Sequence, residues 1–117
     1  TLPRPQPDLS MGIAWLWLVA AGLLEIVWAV GLKYSEGFTR LGPSAVTVAA
    51  MGASFWCLAR ALKDIPLGTG YAIWVGIGAV GTAIAGVLLF AEPATWPRAF
   101  CIALILAGII GLKLTAG

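Results

Sequence analysis

The sequence predicts an all-α membrane protein, a single bundle of four transmembrane helices. Hydrophobic residues make up 61% of the 117 and charged residues only 10%, whereas soluble domains run near ~45–50% and ~25%. A chain this apolar has no polar coat to face water with, so its solvent is lipid. Four apolar stretches, at about 13–32, 43–62, 68–90 and 97–114, each come close to the roughly 20 helical residues that cross a bilayer core. Nearly all the charge and turn chemistry falls in the breaks between them.

The first ten residues hold three prolines and no hydrophobic period. They read as an unstructured tail ahead of one transmembrane domain over 11–117, with Met11 a candidate original start. Val19-Ala20-Ala21 imitates a signal-peptide cleavage site, but the apolar run continues to Leu32, longer than a signal core needs. The first span is therefore expected to stay in the chain. Lys33-Tyr34-Ser35-Glu36-Gly37-Phe38-Thr39-Arg40 forms the first loop, and Gly42-Pro43 opens the second span. Lys63-Asp64-Ile65-Pro66 separates the second and third spans, and Ala91-Glu92-Pro93 begins the third loop. Pro43 and Pro97 suit first helical turns, where a missing N–H costs nothing. Loops this short force the spans to alternate up and down.

Orientation is ambiguous. With the N-terminus inside, Arg4, Arg60, Lys63 and Lys113 are cytoplasmic, while Lys33, Arg40 and Arg98 lie opposite. Ordinary membrane proteins carry a clear Lys/Arg excess inside. Either the chain inserts both ways, which allows an antiparallel dimer, or the count at segment ends misleads. A net charge of +2 offers no basic stripe for nucleic acid. The absence of histidine removes imidazole relays and His-based metal sites, and no metal or cofactor is expected. Cys57 and Cys101 read as small buried hydrophobes, with a disulfide or metal pair the lesser alternative.

Glu25 is the only acidic residue central to a span. An ionisable group at that depth costs at least ~2.5–3.5 kcal/mol and has to face protein or water. On a helical wheel Leu18, Ala21, Gly22, Trp28, Ala29 and Leu32 share its direction, while Leu16, Leu23, Val27 and Val30 form an opposite, lipid-like face. Small neighbours let a second helix approach or leave room for a ligand. A structural ion pair would require a midplane Lys or Arg, and the spans contain none. Glu25 is thus expected to bind ions.

The third span repeats the arrangement. Tyr71, Trp74, Val75, Gly78, Thr82 and Ala85 share a stripe, and Ile73, Val80, Ile84 and Val87 face away. Tyr71 and Trp74 suit a cation-binding aromatic wall or donors to a carboxylate; Tyr71 equally suits an interfacial anchor. Ser54 is the most central hydroxyl of the second span, with bonding to its own backbone the bland alternative. Gly76-Ile77-Gly78-Ala79-Val80-Gly81 matches a dinucleotide-binding string, but it lies inside an apolar span with no preceding strand. Gly76, Gly78 and Gly81 are expected to serve close packing or helix flexibility. Ala103, Ala107, Gly108 and Gly111 form a small-residue face on the fourth span, a candidate helix–helix interface. A buried carboxylate open to both a proton and a cation, in a protein that switches between two facings only when occupied, would exchange one for the other.

The chain from Met11 to Thr115 resembles the small multidrug resistance family. The likeness rests on Gly22-Leu23-Leu24-Glu25-Ile26-Val27-Trp28, on the first loop through Leu41, on Ser54, and on Pro66-Leu67-Gly68-Thr69-Gly70-Tyr71-Ala72-Ile73-Trp74. Drug exporters of that family usually carry glycine three residues after the glutamate. Trp28 there, with Gly111-Leu112-Lys113, resembles the guanidinium exporter branch. Gly70 departs from the alanine common before the tyrosine. The resemblance implies an antiparallel homodimer in the bacterial inner membrane, exchanging protons for guanidinium and not acting as an enzyme. It implies that Glu25 binds both ions, that Trp28, Ser54, Tyr71 and Trp74 orient it, and that Gly22 lines the site. It also implies a dimerising fourth helix and a flexible third. The competing readings are a promiscuous exporter of quaternary ammonium or aromatic cations, a dual-topology channel, and an assembly partner that needs a second, homologous chain.

Overall fold

Four helices follow one another in the computed structural model, which describes residues 8–115, with side chains from 11 onward. They are α1 (Asp8–Tyr34), α2 (Leu41–Ala61), α3 (Leu67–Phe90) and α4 (Trp96–Thr115). Each contains a segment long and apolar enough to cross a membrane. Of the expected tail, residues 1–7 lie outside the described ones, while Asp8, Leu9 and Ser10 form the first turn of α1.

The turns are built by the residues at the breaks. Ser35 donates its hydroxyl to the Leu32 carbonyl at 2.8 Å and accepts the Phe38 N–H at 3.2 Å. Its own carbonyl receives the N–H groups of Thr39 and Arg40. That network supports three consecutive left-handed residues, Glu36, Gly37 and Phe38, a conformation only glycine adopts freely. Pro66 caps α3, and Pro97 is the second residue of α4. α3 ends on left-handed Ala91, and the Glu92 N–H returns to the Gly86 carbonyl at 3.2 Å, which satisfies a carbonyl the helix leaves over.

α1 packs along both α2 and α3, and α4 lies beside α3. The core fills one half of the bundle. Ala14, Leu18 and Ala21 of α1 meet Cys57, Leu58 and Ala61 of α2, closed off by Ile65 and by Ile73 and Trp74 of α3. Lys113 reaches from α4 to within 4.8 Å of the Trp15 ring centroid. Toward the other end, an apolar groove of about 550 Å³ opens between α1, α2 and α3, lined in part by Ile26, Val30, Val46 and Ala85. Glu25 stands at the border between the tight half and the loose one.

Of the expected lipid-like face of α1, Leu16, Leu23 and Val27 are exposed, while Val30 is partly covered and lines the groove between the helices. α3 departs from its expected single stripe. Ile73 and Val80, expected to face away, are buried. They flank Gly76, against which Ile109 of α4 lies at 2.7 Å from a would-be Cβ. α3 is wedged between α1 and α4, so it has two covered faces where the pattern suggested one. Both cysteines are free thiols; Cys57 is in the core as expected, whereas Cys101, expected to be buried, is exposed on α4, which packs on α3 alone.

Candidate functional site

The glycines of α3 decide how close Glu25 comes to that helix. A Cβ on Gly78 would collide with the Glu25 carboxyl, lying 2.7 Å from its Cγ. Gly81, one turn on, receives the tip of Ile26, and from the other side Gly22 receives Ile77 at 2.6 Å. Gly78 and Gly81 seat α1 residues, and Gly76 seats α4. The expected packing role of all three thus has a concrete geometry, and Gly22 is occupied by Ile77.

Glu25 Oε1 is buried and has no hydrogen-bond partner within the chain. Among the described residues only two other buried side-chain polar atoms share that condition, Trp28 Nε1 and Thr82 Oγ1. Trp28 lies one turn after Glu25 on α1, and Thr82 one turn after Gly78 on α3. Buried polar groups in native proteins are nearly always paired. These three unpaired atoms lie within one helical turn of the contact between Glu25 and Gly78.

Of the polar residues expected around Glu25, Ser54 and Trp74 come together, but they bond to each other and to the α1 backbone. Ser54, fully buried, donates to the Ala21 carbonyl at 2.7 Å. Trp74 Nε1 donates to Ser54 Oγ at 3.0 Å. Ser54 therefore bonds another helix and not its own backbone. The Ala21 carbonyl is the one the helical ladder pairs with the Glu25 amide. Three helices are tied at the turn that carries the carboxylate, and within the chain no hydrogen bond runs from Trp28, Ser54, Tyr71 or Trp74 to the carboxylate itself. Tyr71 is 53% exposed and leans on Trp74 with ring centroids 5.4 Å apart.

Phe55 was not among the expected site residues. Its ring stands 5.8 Å from Trp74 and 6.3 Å from Trp28, linking the aromatic groups of three helices. Its place beside Ser54 in the sequence was the only hint, and an outward-facing phenylalanine in a membrane span looks like a lipid contact. On α4, Ala103, Ala107 and Gly108 are exposed and no α4 residue is buried. A Cβ on Gly108 or Gly111 would meet nothing within 4 Å. The small-residue face thus points away from α3.

Four membrane-crossing helices, with a carboxyl oxygen buried and unpaired between α1 and α3, define a small multi-pass membrane protein with an ionisable group inside its span. The chain belongs to the Small Multidrug Resistance protein family, whose profile matches residues 13–105, and it is a multi-pass protein of the bacterial inner membrane. It is 60% identical over 104 residues to a guanidinium exporter of Yersinia pseudotuberculosis, a match covering 89% of this chain and 100% of that one. Guanidinium exporters of Salmonella typhimurium and Proteus vulgaris are each 58% identical over 104 residues, covering 89% of this chain and 99% and 100% of theirs.

Proposed function

We propose that the chain exports guanidinium across the bacterial inner membrane in exchange for protons, working as an antiparallel homodimer. The observation that carries this reading is the Glu25 carboxylate, half-buried within a membrane span with one oxygen sealed off and left unpaired by its own chain. An ionised carboxylate at that depth needs either a proton or a cation to offset its charge. The two ligands then compete for one group, and that competition is what couples them. Guanidinium is planar, with N–H donors in a fork that matches a carboxylate two-to-two. The relatives named as guanidinium exporters support this choice of cation.

The dimer rests on the unfinished surfaces of the single chain. Trp28 Nε1 has no partner, Tyr71 is turned outward, and α4 presents a small-residue face to nothing within the chain. A second copy would enclose the site and cover that face. The near balance of Lys and Arg between the two sides supports an antiparallel arrangement.

The test is transport current from purified protein in liposomes, with guanidinium, methylguanidinium or tetraphenylphosphonium added and Glu25→Gln run in parallel. The expected result is a guanidinium-driven, pH-dependent current that is lost in the variant. Current carried mainly by tetraphenylphosphonium would move the chain to the aromatic-cation exporters. Current undiminished in Glu25→Gln would sink the shared-carboxylate mechanism and favour a channel.

A further inference from the structure

The two ends of the bundle hold their arginines differently. At the end formed by the α1–α2 and α3–α4 turns, each has a carboxylate. Arg40 stands 3.8 Å from Glu36, and Arg98 stands 3.2 Å from Glu92. At the opposite end Arg60 has no carboxylate among the described residues, and two tryptophans take that place. Its guanidinium carbon lies 5.3 Å from the ring centroids of both Trp17 and Trp56. The rings meet edge to face, 5.2 Å apart with their planes at 87°, so the guanidinium occupies the angle between them. Arg60, Lys63 and Lys113 share this end, with Asp64 the one acid among the described side chains there.

We propose that Arg60, Trp17 and Trp56 form a binding site for the phosphate of an anionic phospholipid such as phosphatidylglycerol. Depth is the first argument. α2 is 21 residues long, so each end stands about 15 Å from its middle, half the thickness of a hydrocarbon core. Arg60 is its last residue but one, which sets it near the headgroups, where tryptophans also concentrate. Trp56 lies one turn nearer the middle of α2, so a guanidinium resting on its ring is turned inward from bulk water. The π-faces attract the cation but do not satisfy its N–H donors. At that level the abundant acceptor is lipid phosphate, whose paired oxygens fit two parallel N–H groups of the guanidinium fork.

The rings also prepare the group for its ligand. A loose arginine loses much side-chain freedom on binding, whereas one already held between two rings loses less. The excess of cations at this end favours a lipid with net negative charge. A zwitterionic lipid brings its own cationic headgroup, which those same cations repel. The site lies apart from Glu25 and does not depend on what the chain transports.

The test is native mass spectrometry of the purified full chain in a neutral detergent. Phosphatidylglycerol and phosphatidylcholine with matched acyl chains are titrated in turn. Wild type is expected to bind phosphatidylglycerol about tenfold more tightly or better, the worth of a hydrogen bond between charged groups. Arg60→Gln should reduce that preference to within about twofold. Arg60→Lys keeps the charge but not the fork, and should lose about threefold or more. Trp56→Leu leaves every charge in place and tests the same site through a second side chain, with a loss of about threefold. Lys113→Gln removes one charge from the same end, where Lys113 rests on Trp15 alone, and should stay within about twofold of wild type. No preference in wild type, or an undiminished one in Arg60→Gln, overturns the proposal. Equal loss in Lys113→Gln would show diffuse attraction and overturn it too, as would wild-type binding by both Arg60→Lys and Trp56→Leu. Glycerol 1-phosphate bound as tightly as the lipid would mark a site for soluble phosphate, and the lipid assignment would fall.

Discussion

Gly78→Ala adds a single methyl group, and the structure specifies what that methyl meets. The new Cβ would lie 2.7 Å from Glu25 Cγ and closer still to the carboxyl, where ordinary contact begins at 3.4 Å. The side chain therefore has to retreat by at least 0.7 Å at Cγ. Glu25 is long and the collision is with its far end, so rotation relieves it more cheaply than parting α1 from α3. An off-rotamer torsion of about 30° costs roughly 0.5–1.5 kcal/mol, which stability measurements in detergent would register as a small loss. Transport is more sensitive, because a misplacement of about 1 Å at a reacting group can cost about a hundredfold.

The expected outcome is therefore a split. Gly78→Ala should fold and assemble like wild type, losing no more than about 1.5 kcal/mol of stability, while guanidinium transport falls between about ten- and a hundredfold. Gly76→Ala is the control: its Cβ meets Ile109 of α4, with Cδ1 at 2.7 Å, so it should disturb α3–α4 packing and leave guanidinium affinity much nearer wild type. Parallel measurement of thermal unfolding and liposome transport decides it. Wild-type transport by Gly78→Ala would refute the claim that the glycine exists to seat the carboxylate.

Ser54→Ala leaves Trp74 Nε1 buried without an acceptor, and should destabilise by about 1–3 kcal/mol in detergent unfolding; adding Trp74→Phe should recover part of that loss. Gly108→Leu places a bulky side chain where a Cβ now meets nothing, so the helices should form as before by circular dichroism while cross-linking reports loss of the proposed dimer. In the proposed exchange proton and guanidinium compete for Glu25, so raising the pH would remove the competitor. Apparent guanidinium affinity should then strengthen by up to about tenfold per pH unit in the range where protons occupy the site, and calorimetric binding should lose this dependence in Glu25→Gln.

Much of this architecture is legible in the sequence because lipid imposes a simple code. Every backbone group in the hydrocarbon has to be satisfied within its segment, so apolar stretches become helices and the proline-marked breaks become turns. α3 and α4 lie within one residue of the expected ranges at each end. α1 runs further at both ends, since Asp8–Ser10 and Lys33–Tyr34 are polar enough to escape an apolar count yet continue the helix. Glu25 was legible for an energetic reason: a carboxylate in the middle of a span is too costly to be incidental. The direction of α3 was less so. A wheel reports one preferred face, and a helix buried between two neighbours carries small or apolar residues on both, as Ile73 and Val80 do.

Pairwise partners are where pattern stops. Ser54, Trp74, Tyr71 and Trp28 were legible as polar groups at the right depth, but a helical wheel gives angles and not heights or reach. The structure spends Ser54 on the Ala21 carbonyl and Trp74 on Ser54. That arrangement has its own logic. A donor bonded directly to the carboxylate would satisfy it permanently and weaken its hold on both competing ligands. Donors bonded instead to the backbone one turn away fix where Glu25 stands while leaving Oε1 unpaired. Rigid support with an unsatisfied tip is what a group needs if it is to take a proton or a cation in turn. The orphaned Trp28 Nε1, one turn on from Glu25 on α1, repeats the arrangement: its ring is held by Phe55 at 6.3 Å while its N–H stays unpaired within the chain.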